Sequence, residues 1–590
     1  MSVFRSVFVG ISFVCVAGIT AAGPLVAQMP SKAATALISY DTQFHPTYAQ
    51  KGMVVSKEKY ASEAGLSMLK AGGNAIDAAV ATGFALAVTH PQAGNIGGGG
   101  FMMVYLKDTD KSIAIDYREM APAAAHRDLF LGADGTVDNA LARYSYKSSG
   151  VPGSVMGLVQ ALENYGTMSL ADVMAPAIKL AEEGFHINRA LSESLVRYSG
   201  RLKQDAVSKE LFFKASGEPY APGELLQQPL LAETLKTIAA KGADGFYKGA
   251  VADMIVAAMN QNGGLVTLED LANYKVVERT PVEGTFMGHK IVSMPPPSSG
   301  GVHLVQMLNV LEGYDLKNLG HNSAAYVHRV TETMKYAYSD RSKYLGDPDF
   351  NKVPVAALIS KSYAKAIRAK INLEKATPST EIGPDPKLLR ESHDTTHYSV
   401  MDKWGNMVAN TYTLNFTFGN GKSVAGAGFL LNNEMDDFSA KPGVPNAFGL
   451  LGGEANSIQP GKRPLSSMTP TFVFKDGKPF ITTGSPGGSL IITSVLQVVL
   501  NTIAHDMNIS AAVSVPRFHH QWFPDNLYME PGFSTDTRRL LAKMGQNVDV
   551  GAVLKRKRVI GSVHSILLSP KGIITGTVDP RRPGAHVAAY

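Results

Sequence analysis

The chain has 590 residues, 45% of them apolar and 18% charged, which allows a sizeable buried core and is far too apolar for a disordered chain. Fifty-six basic residues against 50 acidic ones leave a net charge of only +6, and no long Lys/Arg run marks a nucleic-acid partner. Cys15 is the only cysteine; it falls in the leader described next, so the mature chain is expected to lack thiols, disulfides, cysteine zinc sites and iron–sulfur clusters.

Residues 1–27 read as a secretory signal. Arg5 supplies the positive start, an apolar stretch runs from Val7 to about Ala22, and small residues place the cut near Ala22 or Ala27. The alternative is a membrane anchor, since the stretch is nearly long enough to begin a span. Val14 stands before Cys15 where a lipoprotein signal has a small residue. No later run reaches the length of a membrane-spanning helix, so the mature protein is expected to be exported, periplasmic or extracellular, with no anchor.

Met53 to His90 reads as two helices, with Ser56 capping the first and Gly72-Gly73 ending it. Asn74 with Asp77 three residues on forms a capping-box variant for the second, and Pro91 stops it. That second helix is alanine-rich and apolar on most faces, as a buried helix is. Gly97 to Gly100 form a loop before a strand at Phe101–Leu106. From Ser154 to Lys370 the periodicity is mainly helical, interrupted by a loop at Met294-Pro295-Pro296-Pro297-Ser298-Ser299-Gly300-Gly301. Residues 374–394 are polar and proline-containing, an exposed segment by composition.

Cofactor signatures fail on spacing. Gly421-Lys422-Ser423 resembles the end of a phosphate-binding loop, but Phe416 occupies the place of its first glycine. Met102 and Met103 replace the later glycines of a dinucleotide loop, and His519-His520 lacks the spacing of a zinc protease motif. None of these signatures calls for a metal or organic cofactor.

Thr395-Thr396-His397-Tyr398-Ser399-Val400-Met401-Asp402 alternates as a strand, Lys403-Trp404-Gly405-Asn406 is a turn, and Met407–Asn415 is a second strand. Pairing Asp402 with Met407 sets Thr395 opposite Leu414, flanked by Thr413 and Asn415. A threonine hydroxyl needs a neighbouring base to act as a nucleophile. A chain cut between Asp394 and Thr395 would supply one, an α-amine with a reference pKa of about 7.7–8; otherwise Thr395 is an ordinary first strand residue. Farther on, a strand at Phe480–Thr483, a turn at Gly484–Ser489 and a helix from Leu490 to Asp506 put the N–H groups of Gly487 and Gly488 at a helix N-terminus, suited to an oxyanion.

Five motifs make the pattern specific: Asp116-Tyr117-Arg118-Glu119-Met120-Ala121-Pro122, Thr395-Thr396-His397-Tyr398-Ser399-Val400, Asn432-Asn433-Glu434-Met435-Asp436-Asp437-Phe438, Pro464-Leu465-Ser466-Ser467-Met468 and Gly484-Ser485-Pro486-Gly487-Gly488. In this order they resemble the γ-glutamyltranspeptidase family, from about Gly52 to the C-terminus. The resemblance implies an α+β fold, the N-terminal-nucleophile hydrolase αββα sandwich. It implies autocatalytic cleavage into a large subunit, 28–394, and a small subunit, 395–590, that stay together as a heterodimer. Thr395 would be the nucleophile, Thr413 its neighbour, and Gly487 and Gly488 the oxyanion hole.

A γ-glutamyl group carries a free α-carboxylate and a free α-ammonium. Arg118, Ser466 and Ser467 would take the first, and Asn415, Glu434 and Asp437 the second, with opposite charges on opposite sides of the pocket. The implied reaction is ping-pong, on γ-glutamyl compounds such as glutathione, with water or an amino acid or peptide as acceptor. Two departures stand out: Phe448 lies where lidded bacterial relatives often carry Tyr, and Glu434 lies where some relatives carry Gln. The competing readings are a related acylase for glutaryl β-lactam side chains, whose substrate lacks the ammonium, and a non-catalytic exported binding protein.

Overall fold

A computed structural model describes residues 42–383, 395–444, 446–447, 449–551 and 559–590. The chain divides into Met1–Gln43, of which only Thr42 and Gln43 are described, and Phe44–Tyr590. The signal-peptide expectation, Asp394 and Phe448 lie outside the described residues.

Two seven-stranded sheets organise the second unit. One runs in the order Thr47–Ala49, Ile574–Thr577, His564–Leu568, Lys478–Gly484, Thr471–Lys475, His289–Ser293, Val282–Phe286. The other runs His586–Ala589, Met53–Ser56, Thr396–Met401, Met407–Thr413, Gly99–Leu106, Lys111–Tyr117, Val277–Arg279. Every pairing in both is antiparallel. Strand residues alternate between faces, and the clusters follow that period. Met53, Val55, Phe101, Met103, Met401, Met407, Phe472 and Ile566 share a core between the sheets. Val54, Met102, Val104, Tyr398, Val400, Val408 and Tyr412 pack outward with the helices Lys59–Lys70, Ala75–Thr89 and Ser154–Tyr165. On the far side, Ile291, Val473 and Ile481 pack with Gly300–Leu311, Ala324–Tyr344 and Leu490–Ile503. The result is helix, sheet, sheet, helix, the expected αββα sandwich.

The buried second helix keeps its capping box: Asn74 Oδ1 accepts from the N–H groups of Ile76 and Asp77, and Asp77 accepts from Asn74 N–H at 2.7 Å. Two expectations are corrected. Met53–Ser56 is a strand, not a helical start, because it pairs on both edges, with 399–401 and with 586–589; the helix is capped by Glu58, whose side chain accepts from Ala61 N–H at 3.2 Å. The mainly helical middle contains five short strands: Phe185–His186 and Leu225–Leu226 pair with each other, and Val277–Arg279, Val282–Phe286 and His289–Ser293 complete one edge of each large sheet.

The hairpin bearing Thr395 forms one residue out of the expected register. Met401, not Asp402, pairs with Met407, and Thr396 pairs with Tyr412. Asp402 leaves the ladder because its carboxylate builds the turn: Oδ1 accepts from Trp404 N–H and Asn406 N–H, and Oδ2 from Asn406 Nδ2 and Ala75 N–H. Carried one step further, this register sets Thr395 level with Thr413 rather than Leu414. Both threonines then lie on the face turned toward the other sheet.

Candidate active site

The site is a recess of about 310 Å³ at the end of that hairpin, lined by Thr395, Thr413, Asn415, Arg118, Arg341, Glu434, Asp437, Ser466, Ser467 and Gly488, with Leu450, Met468 and Ile491. Nine of the ten single-residue assignments beyond Asp394 thus meet in one place. Gly487 is the tenth, adjoining Gly488 in the chain.

Each part has a structural reason to be there. Glycines 97–100 bring the neighbouring strand against the hairpin, and a Cβ on Gly98 would overlap the Thr413 carbonyl oxygen. That carbonyl accepts from Asn95 Nδ2 at 2.9 Å, and Asn95 Oδ1 accepts from Gly98 N–H at 2.8 Å. Thr413 Oγ1 accepts from Asn415 N–H at 2.8 Å, and Asn415 leaves the strand with φ 71°. Asn415 Nδ2 donates to Asn433 O at 2.9 Å, which leaves Oδ1 as its other polar atom. Gly487 and Gly488 have φ 135° and 56°, left-handed values that glycine tolerates, and their carbonyls accept the first N–H bonds of the helix Leu490–Ile503.

The acidic loop is pinned by Asn432. Its Nδ2 donates to the carbonyls of Gly97 and Gly150, and its Oδ1 accepts from the N–H groups of Gly150 and Glu434. Glu434, Asp437 and Glu119 surround Arg118, which is fully buried. Arg118 Nη1 pairs with Glu434 and, at 3.5 Å, with Glu119; Nη2 pairs with Asp437 at 2.5 Å; Nε donates to Pro464 O at 3.3 Å. The expectation of opposite charges on opposite walls is therefore corrected. Arg118 lies among the acids because burial leaves each charge without water, and pairing is the available compensation.

Burial pushes the Glu434 carboxyl well above the usual range, with Arg118 pulling it back and Glu119 and Asp437 adding like-charge repulsion. Burial likewise raises Asp437 and lifts Glu119 to about 7. Asp436, which pairs with Arg143 at 3.1 Å, is raised by burial to about 6. Glu434 Oε2 is buried and has no hydrogen-bond partner among the described residues.

Ser466 and Ser467 are held by a loop that sequence reasoning marked only as an interruption. Ser466 N–H donates to Pro297 O, Ser299 N–H donates to Ser466 O, and the Ser298 and Ser299 hydroxyls donate to the carbonyls of Met468 and Ser466. Arg341, on the helix Ala324–Tyr344, was missed because its local setting reads as an ordinary helical charge; only tertiary packing buries it. Among the described residues no group of His, Cys, Asp and Glu side chains could hold a metal ion, and no helix is long and apolar enough to cross a membrane.

Two sheets between helix layers, with a threonine at the buried start of a central strand beside a glycine turn, define an N-terminal-nucleophile hydrolase. Residues 61–589 match the family model described as gamma-glutamyltranspeptidase, and the chain belongs to that family. It is 52% identical to the glutathione hydrolase proenzyme of Escherichia coli (strain K12) over 556 residues, 94% of this chain and 95% of that one. Among solved structures, cephalosporin acylase from Bacillus halodurans superposes with a TM-score of 0.81 at 29% identity, covering 94% of this chain and 99% of its own. Helicobacter pylori gamma-glutamyltranspeptidase does so with a TM-score of 0.56 at 47% identity, covering 58% of this chain and 97% of its own.

Proposed function

We propose that the chain is an autoprocessed γ-glutamyltransferase and glutathione hydrolase with Thr395 as its nucleophile. The observation that carries the reading is the shared recess: a threonine on the inter-sheet face, a glycine turn at a helix start, and a set of two arginines, two acids and two serines. Family membership at this identity supports the same activity.

Maturation breaks the bond between Asp394 and Thr395, leaving 28–394 and 395–590 as the two subunits of one sandwich. The freed α-amine of Thr395 takes the proton from its own Oγ1 as that oxygen attacks the γ-carbonyl of the donor. The N–H groups of Gly487 and Gly488 receive the developing oxyanion, where one such donor is typically worth on the order of 100- to 1000-fold in rate. The amine then passes the proton to the departing amine or peptide. Water or the amino group of an acceptor amino acid or peptide, deprotonated in turn, attacks the γ-glutamyl ester and frees Thr395. Thr413, across the hairpin, holds the nucleophile's neighbourhood.

The unpartnered Oε2 of Glu434, with Asp437 and Asn415, suits the donor's α-ammonium, while Ser466, Ser467 and Arg118 take the α-carboxylate. A glutaryl donor would bring no ammonium to the unpartnered Glu434 Oε2, which favours γ-glutamyl over glutaryl substrates. The N-terminal segment 1–27 is a signal removed on export to the periplasm or medium, and the mature heterodimer needs no metal or organic cofactor.

Replacing Thr395 with Ala tests the reading. The expected result is a single uncut chain on a denaturing gel and no release of aniline from a γ-glutamyl anilide. A variant that still splits and still turns over donor would refute it.

A further inference from the structure

Composition marks residues 374–394 as an exposed segment, yet 376–383 sits in a built dock. Ala376 N–H donates to Met544 O at 2.7 Å. Thr377 N–H donates to Glu332 Oε2 at 3.1 Å, and Thr377 O accepts from Lys335 Nζ at 2.9 Å. Ser379 N–H donates to Asp525 Oδ2 at 2.9 Å, and Ser379 O accepts from Trp522 Nε1 at 2.8 Å. Ile382 O accepts from Ser339 Oγ at 3.3 Å. A Cβ on Gly383 would overlap Ser339 Oγ and meet the Trp522 ring, so the chain passes there in close contact. Each of these hydrogen bonds holds backbone, which is why composition does not reveal them.

The side chains of the dock are themselves fixed. Lys335 and Glu332 are 2% and 0% exposed and pair at 2.9 Å. A buried ion pair contributes little stability by itself; this one presents a fixed donor and a fixed acceptor to Thr377. Trp522 N–H donates to His520 Nδ1 at 3.1 Å, so the ring proton sits on Nε2, which donates to Asp525 Oδ1 at 3.1 Å. Lys335 Nζ lies 3.6 Å from the same oxygen. Burial pushes the Asp525 carboxyl up, but His520, the Ser379 N–H and Lys335 outweigh it and hold the group below the usual carboxylate range.

The elements that grip 376–383 also grip the glycine turn. Tyr338, on the same helix as Glu332, Lys335 and Ser339, donates its hydroxyl proton to Ser489 O. Ser489 Oγ donates to Gln521 Oε1 at 2.7 Å, and Gln521 adjoins both His520 and Trp522. Only residues 384–394 separate the anchored Gly383 from Thr395, and the strand Thr396–Met401 fixes the chain on the other side. A short segment anchored at both ends has few conformations left to lose.

We propose that this dock is a positioning device for maturation, with Asp525, Trp522 and Lys335 holding 376–383 so that the Asp394 carbonyl is presented to Thr395 Oγ1. This rests on the cleavage between Asp394 and Thr395 put forward above. In that cleavage Oγ1 adds to the Asp394 carbonyl carbon and its proton passes to the Thr395 nitrogen as the C–N bond breaks, which leaves an ester and a free amine. Water then splits the ester into the Asp394 carboxylate, a proton and the Thr395 hydroxyl. The dock touches neither reacting group and acts on maturation alone, through where it holds the chain.

The test follows the full chain made by cell-free translation, with the cut scored on a denaturing gel and by N-terminal sequencing of the small fragment. Asp525→Ala, which removes the Ser379 contact, should lengthen the half-time of cleavage about 10- to 100-fold. Gly383→Ala disturbs the same seat from the segment's side, leaves every side chain of the dock in place, and should slow cleavage as well. Asp525→Asn keeps an acceptor oxygen and should recover most of the rate. Once matured, all three should show kcat and KM for a γ-glutamyl anilide within about twofold of wild type. Cleavage at the wild-type rate in both Asp525→Ala and Gly383→Ala, or slowing matched by an equal loss of kcat/KM in the mature enzyme, overturns the proposal. Normal maturation followed by separation of the two fragments on gel filtration also overturns it, by making the dock a fastener of subunits. A wild-type small fragment that does not begin at Thr395 would instead defeat the underlying cleavage reading, so the two failures are separable.

Discussion

Arg118→Gln isolates what the buried charge cluster contributes. In the native protein the guanidinium contacts Glu434, Asp437 and Glu119, and the Arg118, Glu119 and Glu434 side chains are at most 1% exposed. Removing one partner of a buried ion pair typically costs about 3–5 kcal/mol, because the remaining charge is left without compensation. Here the remaining charges are acids whose protons are already held tightly, Glu119 at about 7, and without Arg118 their affinity for protons rises further. An acid with a raised folded-state pKa binds more protons folded than unfolded above its unfolded pKa, so its contribution falls as pH rises through that window. The loss in the variant is therefore expected to be near the full 3–5 kcal/mol at pH 8 and smaller at pH 5, by up to about 1.4 kcal/mol per pH unit for each extra proton retained. The assay is urea unfolding in a Thr395→Ala background, where a single chain is expected, followed by fluorescence of the buried Trp522. A loss below about 1 kcal/mol at pH 8, or an equal loss at both pH values, would refute the account of Arg118 as the counter-charge of this cluster.

Gly98→Ala forces a Cβ against the Thr413 carbonyl; kcat/KM should fall at least about tenfold from displacement of the hairpin end, and an unaltered steady-state rate would show that the strand gives way harmlessly. Glu434→Gln removes a carboxyl whose pKa burial has raised. In the wild type, donor KM should fall as pH rises through that pKa and the acid becomes charged; in the variant that limb should disappear and KM should be higher, and an unchanged KM would withdraw Glu434 from the ammonium contact. Glu58, raised by burial to about 7, should destabilise the protein progressively from about pH 4.5 to pH 7. Glu58→Gln keeps a capping oxygen and should shrink the stability difference between pH 5 and pH 8 by about 2–3 kcal/mol, measured by denaturant unfolding.

Local order was legible wherever one segment carries its own instructions. The Asn74 cap, the buried alanine-rich helix, the Thr395 hairpin and the glycine turn before Leu490 all follow from residues a few positions apart. The failures share a cause. Met53–Ser56 became a strand because distant chain pairs on both its edges. The hairpin slipped by one because the Asp402 carboxylate serves the turn and Ala75 at once. The strands at 277–293 are short, and sheet partners rather than period define them.

By itself the sequence determined the family, the nucleophile candidate and most of the residues that gather around it, since those are recorded in long ordered motifs. Only the tertiary structure decided that Thr395 stands level with Thr413, that Arg118 is enclosed by acids, and that Arg341 reaches the same recess without one. Register and ion pairing depend on which groups are shut away from water together, and Arg118 and Glu434 are 316 residues apart in the chain, a juxtaposition that no local pattern encodes.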